Sequence, residues 1–215
     1  MTNIDNQVDY WNKVAWDKEF THTLNLAWLG KHLSRDSRIL DYGCGYGRLC
    51  QELARAGYRN VVGLDSSAEM IQRGRQQYPG LPLEVLPPAG LDDPAGSVDA
   101  VLLVAVLTCL PTDAGQQALL KTLESVLRPG GLLYISDYLL QPDERNQQRY
   151  RQYADEFGTY GVFRLPEGAV VRHHTRHWVD ILTAAFERLE LVELDVVSMN
   201  GNPAKGFQYL GRKRS

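Results

Sequence analysis

Cysteine is scarce in this 215-residue chain: Cys44, Cys50 and Cys109 are the only three, and none forms a C-x-x-C pair. A disulfide framework is thereby excluded, and reduced thiols fit a cytoplasmic setting. Long apolar runs are also missing. The longest mainly apolar stretch, Val101–Leu110, is ten residues, too short to cross a bilayer. Strong charge of either sign is absent as well: the net charge is −3 and the isoelectric point is near 6.0. Nucleic acid and anionic lipid are therefore not attracted by bulk charge, and neither is expected as a partner. The first ten residues hold two acids and no base, so a signal or transit peptide is not expected, and the predicted location is cytoplasmic. No repeat or low-complexity tract is present.

What is present is an alternation. From Arg38 onward, short β-branched runs at about 38–42, 60–65, 82–86, 98–104, 131–137, 189–198 and 205–211 read as strands. Between them, helical spacing marks about 46–57, 67–77, 113–128 and 176–187; Leu119, Leu120, Leu123 and Leu127 form one such stripe. The last two strands are joined by a connection around Asn200-Gly201-Asn202-Pro203, which can close an antiparallel hairpin but cannot cross over to a parallel neighbour. The expected fold class is α/β: a three-layer, Rossmann-like, seven-strand mixed sheet with its last strand antiparallel and helices on both faces. One domain over 1–215 is expected. Two segments lie outside the alternation, about 1–35 and about 138–175, and between them they hold eleven of the twenty aromatic residues. They read as a lid and a cap. The segment after the fifth strand leaves the sheet at its carboxyl end, where ligands bind in such folds.

The densest chemistry is in Ile39-Leu40-Asp41-Tyr42-Gly43-Cys44-Gly45-Tyr46-Gly47, a strand running into a Gly-x-Gly-x-Gly turn that opens a helix. Eighteen residues beyond Gly47, a second strand ends in Asp65, an acid suited to accept hydrogen bonds from both hydroxyls of a ribose. A dinucleotide fingerprint fails, because Arg48 or Cys50 would stand where its third glycine belongs, and no Gly-Lys-Ser/Thr completes a phosphate loop.

These residues resemble the class I S-adenosylmethionine-dependent methyltransferases over about 8–210. The glycine run is similar to that family's first motif and Val62-Gly63-Leu64-Asp65-Ser66-Ser67-Ala68-Glu69-Met70 to its second. Gly96-Ser97-Val98-Asp99-Ala100-Val101 is similar to the start of its fourth strand, Leu127-Arg128-Pro129-Gly130-Gly131 to the turn into its fifth, and Tyr10-Trp11-Asn12-Lys13-Val14-Ala15 to its cofactor lid. The resemblance implies S-adenosylmethionine as cofactor and S-adenosylhomocysteine as product. It implies that Gly43, Gly45 and Gly47 pass along the methionine and ribose, that Asp41 sits by the amino group and that Asp65, with Ser66 beside it, binds the ribose. Met70 and the backbone around Leu86 would flank the adenine, and Tyr10 and Trp11 would cover the cofactor. The chain departs from the family at Leu86-Pro87-Pro88-Ala89-Gly90, which lacks the acid often found before this Leu-Pro.

Methyl transfer from a sulfonium proceeds by alignment and needs no metal. Adjacent His173 and His174 cannot easily face one ion, and no metal is expected. If a general base is used, the candidates are His173 and Tyr160, with Tyr138 and His174 in the same covering segment. Tyr138, Tyr150, Tyr153, Arg172 and His174 are the expected substrate contacts. Arg145, Arg149, Arg151, Arg164 and Arg172 raise the idea of an anionic substrate, but four arginines and four acids balance between Leu139 and Leu165, the pattern of a solvated face. The expected activity is methyl transfer to a small-molecule oxygen, nitrogen or sulfur by a monomer or homodimer. The alternatives are a non-catalytic protein that binds the cofactor, or a methyltransferase acting on a macromolecule. Against the latter, Val104-Ala105-Val106-Leu107-Thr108-Cys109 lacks the Asn/Asp-Pro-Pro-Tyr type of motif that holds a planar amine.

Overall fold

The computed structural model describes residues 3–214. Met1, Thr2 and Ser215, the ends of the expected single domain, lie outside the described residues. Seven strands form one sheet: β1 (Arg38–Tyr42), β2 (Asn60–Asp65), β3 (Leu83–Val85), β4 (Val98–Val104), β5 (Leu127–Tyr138), β8 (Phe186–Val197) and β9 (Pro203–Lys213), in the order β3-β2-β1-β4-β5-β9-β8. β1 through β5 are parallel, and β9 runs antiparallel to both β5 and β8. The mixed, Rossmann-like sheet expected from the sequence is thus present, with the antiparallel strand one place in from the edge. Two short strands, β6 (Val162–Arg164) and β7 (Val170–Arg172), make a separate hairpin.

Alternation along β1 and its neighbours divides the core into two layers, because successive side chains in a strand face opposite ways. Leu40, Val101, Leu103, Leu133 and Ile135 pack on one face, with residues of α5 (Asp113–Val126) and α7 (Arg176–Leu182). Ile39, Ala100, Leu102, Leu132 and Tyr134 pack on the other, with α2 (Leu26–Gly30) and α3 (Arg48–Arg55). The helices start where short polar side chains cap them: the Ser67 hydroxyl accepts the Met70 N–H (3.1 Å) at the start of α4 (Ala68–Gln77), and Thr112 accepts that of Gly115 (2.9 Å). Asp143 caps α6 (Glu144–Phe157), accepting the Asn146 N–H at 3.1 Å, and Thr175 caps α7, accepting the Trp178 N–H at 3.0 Å.

Several boundaries differ from the sequence reading. α3 begins at Arg48, not 46, because Gly47 stands in the left-handed region (φ +80°) as its N-cap. β5 begins at Leu127, since a bulge opposite β4 pairs Leu127 with Val98 before Leu132 pairs with Ala100. α7 stops at Leu182, and β8 takes over from Phe186, whose ring enters the core while its backbone pairs with Lys213. The hairpin between β8 and β9 turns over Ser198–Asn202, closed by the Ser198 N–H to Asn202 O bond (2.8 Å), with Gly201 at φ +75°. No described helix is long and apolar enough to cross a membrane.

Candidate active site

The strand order reverses direction between β1 and β4, and loops leaving their carboxyl ends diverge there to leave a crevice. A cavity of about 540 Å3 occupies this position. On its β1 side, the N–H groups of Gly43 and Cys44 both donate to Leu64 O (2.7 and 3.0 Å), which pins the turn to the end of β2. Gly43 has φ +73°, and a Cβ there would come within 2.5 Å of Val106 Cγ2 from the facing β4 loop. That loop contains Ala105 at φ +56°, the one non-glycine residue in the left-handed region among the described residues. Its N–H is held by Ser136 O at 2.8 Å.

Asp65, at the end of β2, accepts the Gly45 N–H on one carboxylate oxygen and the Ser67 N–H on the other, both at 2.8 Å. Burial raises its pKa, and these two donors oppose the rise. Asp41 is more enclosed: burial pushes its pKa up to about 7, against the Cys50 thiol, which donates to it at 3.4 Å, and the charge of Arg48. Tyr10 closes the cavity from α1 (Val8–Val14), and its buried hydroxyl has no hydrogen-bond partner. Burial, chiefly, raises its pKa to about 12. The N-terminal segment is tied down by Asn12, whose Oδ1 accepts from the Ser67 hydroxyl (2.8 Å), and by Arg73, which donates to Ala15 O (2.9 Å) and Lys18 O (2.7 Å), pairs with Glu19 and lies over the Tyr46 ring.

The far half of the cavity lies under α6, the β6–β7 hairpin and the β8–β9 turn. His173 stands here between Tyr138 and Phe163, at ring distances of 5.4 and 5.0 Å. Its Nδ1 meets the Tyr150 hydroxyl at 2.6 Å, and that hydroxyl also accepts the Gln141 N–H at 3.0 Å. Burial holds the His173 pKa down to about 3. His22 lies beside Tyr138 with Nδ1 on Ser136 Oγ (3.0 Å), while its buried Nε2 has no partner; burial lowers its pKa to about 4.

Of the residues expected at the site, Tyr10, Trp11, Asp41, Gly43, Asp65, Ser66, Met70, Leu86, Tyr138 and His173 line this cavity. Seven others do not. Gly45 turns its α-carbon to the Phe20 ring, which a Cβ would overlap, and Gly47 turns to Leu83; only the Gly45 N–H reaches inward, to Asp65. Arg172 and His174 miss because side chains alternate along β7 and its continuation: Val171 and His173 face the cavity and their neighbours face away. Arg172 instead pairs with Asp113 (2.6 Å) and donates to Pro111 O, and His174 fits between Tyr138 O (3.0 Å) and Gln116 (2.9 Å). Tyr150 is fully buried behind His173, Tyr153 packs on the outer side of that cluster, and Tyr160 is 48% exposed outside the cavity. Tyr160, expected as a base, therefore does not line the cavity. His22, Ala105 and Gln141 line the cavity without having been singled out, since nothing local in their sequence context marks them. Among the described residues, no group of three or more His, Cys, Asp and Glu is placed to hold a metal.

A glycine turn at the switch point, a buried acid at the end of the next strand and the 3-2-1-4-5-9-8 order define a class I S-adenosylmethionine-dependent methyltransferase, and the chain belongs to that family. Residues 13–192 match the family described as a methyltransferase domain. A SAM-dependent methyltransferase from Methanosarcina mazei superposes with a TM-score of 0.81 at 26% identity, covering 89% of this chain and 98% of that one. The ribosomal protein L11 methyltransferase of Paraburkholderia phymatum is 30% identical over 156 residues, 73% of this chain and 49% of that protein. The trans-aconitate 2-methyltransferase of Methylobacterium nodulans is 35% identical over 120 residues, 54% of this chain and 45% of that protein. This chain thus spans about half the length of the curated relatives it matches.

Proposed function

We propose that this protein transfers the methyl group of S-adenosylmethionine to a small molecule held in the far half of the cavity. The observation that carries the reading is the cavity's continuity: one partly covered space of about 540 Å3 runs from Asp65 and Gly43 to His173 and Tyr138, overhung by residues between Asn3 and His22 and by residues between Tyr138 and His173. Such a pocket suits a compact acceptor better than a polymer strand or a folded protein. The Methylobacterium relative is named for a small molecule, trans-aconitate, and the Paraburkholderia relative for a ribosomal protein, so relatedness alone does not choose between them.

The residues present fit the cofactor. Asp65 keeps its carboxylate oriented by two backbone donors, leaving its remaining acceptor capacity for ribose hydroxyls. Asp41 suits the amino group, Met70 and Leu86 the two sides of the adenine, and the aromatic faces of Tyr10 and Trp11 suit a cation. Bound here, the cofactor supplies an activated methyl carbon open to in-line displacement, so the protein's task is to align the acceptor and exclude water. The lid ties through Asn12 and Arg73 serve the exclusion.

The test is incubation with methyl-labelled S-adenosylmethionine and a cell lysate separated into small-molecule and macromolecular fractions. Label in the small-molecule fraction is expected. Label confined to protein or RNA overturns the small-molecule reading, and failure to bind S-adenosylhomocysteine overturns the cofactor site.

A further inference from the structure

Arg149 is the one arginine of the cap without a carboxylate partner among the described residues. Four other arginines between Leu139 and Arg172 each have a carboxylate within 4.0 Å: Arg145 with Asp143 (3.9 Å), Arg151 with Glu144 (2.8 Å), Arg164 with Glu156 (2.8 Å) and Arg172 with Asp113 (2.6 Å). Among the described residues, Arg149 has none. Its guanidinium carbon lies over Phe163, 4.9 Å from the ring centroid, and its one polar contact among the described residues is Asn146 Oδ1 at 3.3 Å. Most of its N–H donors therefore have no protein acceptor among the described residues, and this side chain borders the cavity beside His173.

The proton on His173 adds a second donor. The Tyr150 hydroxyl is fully buried and accepts the Gln141 N–H, so its own proton has one acceptor at hand, Nδ1 of His173 at 2.6 Å. The neutral ring then carries its hydrogen on Nε2, the nitrogen without a protein partner, and offers the cavity an N–H. The negative groups nearby are engaged elsewhere. Asp5 is held by the backbone N–H (3.0 Å) and hydroxyl of Thr112, Glu167 by Lys18 (3.1 Å), and Asp143 by its capping bond. Asp41 and Asp65 belong to the glycine-turn end. A corner with one free planar cation, one neutral N–H and apolar walls matches a planar monoanion.

Resting on the small-molecule reading above, we propose that the methyl acceptor carries a carboxylate, held by the Arg149 guanidinium and the His173 Nε2–H, with an apolar body against Phe163 and Tyr138. Both would bind the substrate directly, and no proton moves in this recognition.

The test is calorimetric titration of the complex with S-adenosylhomocysteine, using benzoate against benzamide, cinnamate against cinnamamide, and phenyl phosphate. At least one acid is expected to bind about tenfold or more tightly than its amide, the size of a charge-assisted hydrogen bond. Arg149→Gln should erase that preference and Arg149→Lys restore part of it, with affinity for S-adenosylhomocysteine unchanged in both. Equal affinity within each pair, absence of acid binding, preference surviving in Arg149→Gln, or phenyl phosphate bound more tightly than benzoate overturns the proposal. The labelled-methyl assay separates it from the reading it rests on. Transfer to a neutral small molecule, undiminished in Arg149→Gln, removes the carboxylate and keeps the small-molecule activity. Selective acid binding with label confined to macromolecules does the reverse.

Discussion

The Tyr150 hydroxyl stands 2.6 Å from Nδ1 of His173, so a side chain with no exposed surface sets the tautomer of one that lines the cavity. The same hydroxyl accepts the Gln141 N–H, and Tyr150→Phe would leave both groups unpaired. We expect a loss of about 1–3 kcal/mol in urea unfolding. Nitrogen NMR of the imidazole should show a single Nε2–H form in the parent protein and a mixture of tautomers in the variant. An unchanged spectrum would mean that Tyr150 does not fix the ring.

Asp65→Ala removes the acceptor that orients the turn through Gly45 and Ser67 together with the acceptor for the ribose. Hydrogen bonds to a charged group contribute about 1.5–3 kcal/mol. Calorimetry should accordingly show S-adenosylhomocysteine binding weakened about ten- to a hundredfold. Unaltered binding would take Asp65 out of the site.

Gly45→Ala tests the lid. The new Cβ would run into the Phe20 ring, which stacks on Tyr46 at 5.2 Å, and the position is left-handed at φ +57°. Gly80→Ala is the matched control: φ is +91° there, and nothing lies within 4 Å of the added carbon. Both variants carry a backbone cost of roughly 1–2 kcal/mol. Only Gly45→Ala should also speed proteolysis around Phe20 and weaken S-adenosylhomocysteine binding. Equal behaviour of the two would show that Phe20 yields without moving the lid.

His174 makes stability depend on pH. Burial, helped by the charge of Arg172, lowers its pKa to about 3 against the bond from Nδ1 to Tyr138 O, which raises it, while Nε2 faces Gln116. Between the unfolded value near 6.5 and about 3, the unfolded chain binds a proton that the folded chain refuses, so stability falls as pH drops through this window. Asp41 and Asp137, whose pKa values burial raises to about 7, act in the opposite sense between about 4 and 7, so the informative quantity is a difference between proteins. His174→Gln should lessen the acid loss by up to about 1.4 kcal/mol per pH unit below pH 6.5 and leave the slope above pH 7 unchanged. Parallel stability curves for the two proteins would contradict the buried neutral imidazole.

The sheet was legible because its signals are local. Leu40 and Ile39 alternate faces by the geometry of a strand, Thr112 and Thr175 cap the helices that follow them, and Asn200-Gly201 permits only a tight return between β8 and β9. The glycine turn and Asp65 were legible for the same reason, each lying at the end of a readable strand. Boundaries went astray where a distant partner decided them. Phe186 fits the helical stripe of Val179 and Leu182, yet pairing with Lys213 draws it into β8.

The far half of the cavity was hidden because its residues meet across the fold. Arg149 and Arg151 are alike in sequence, and packing against Phe163 rather than Glu144 separates them. Likewise, the choice between His173 and His174 rested on which face of β7 covers the cavity, a fact of how the hairpin docks. Composition, periodicity and motif order, all properties of neighbouring residues, determined the fold class and the family. Only the tertiary structure decided which cation of the cap lacks an acid and which histidine offers its N–H, because both depend on residues brought together by the packing of α6 and the β6–β7 hairpin over the sheet.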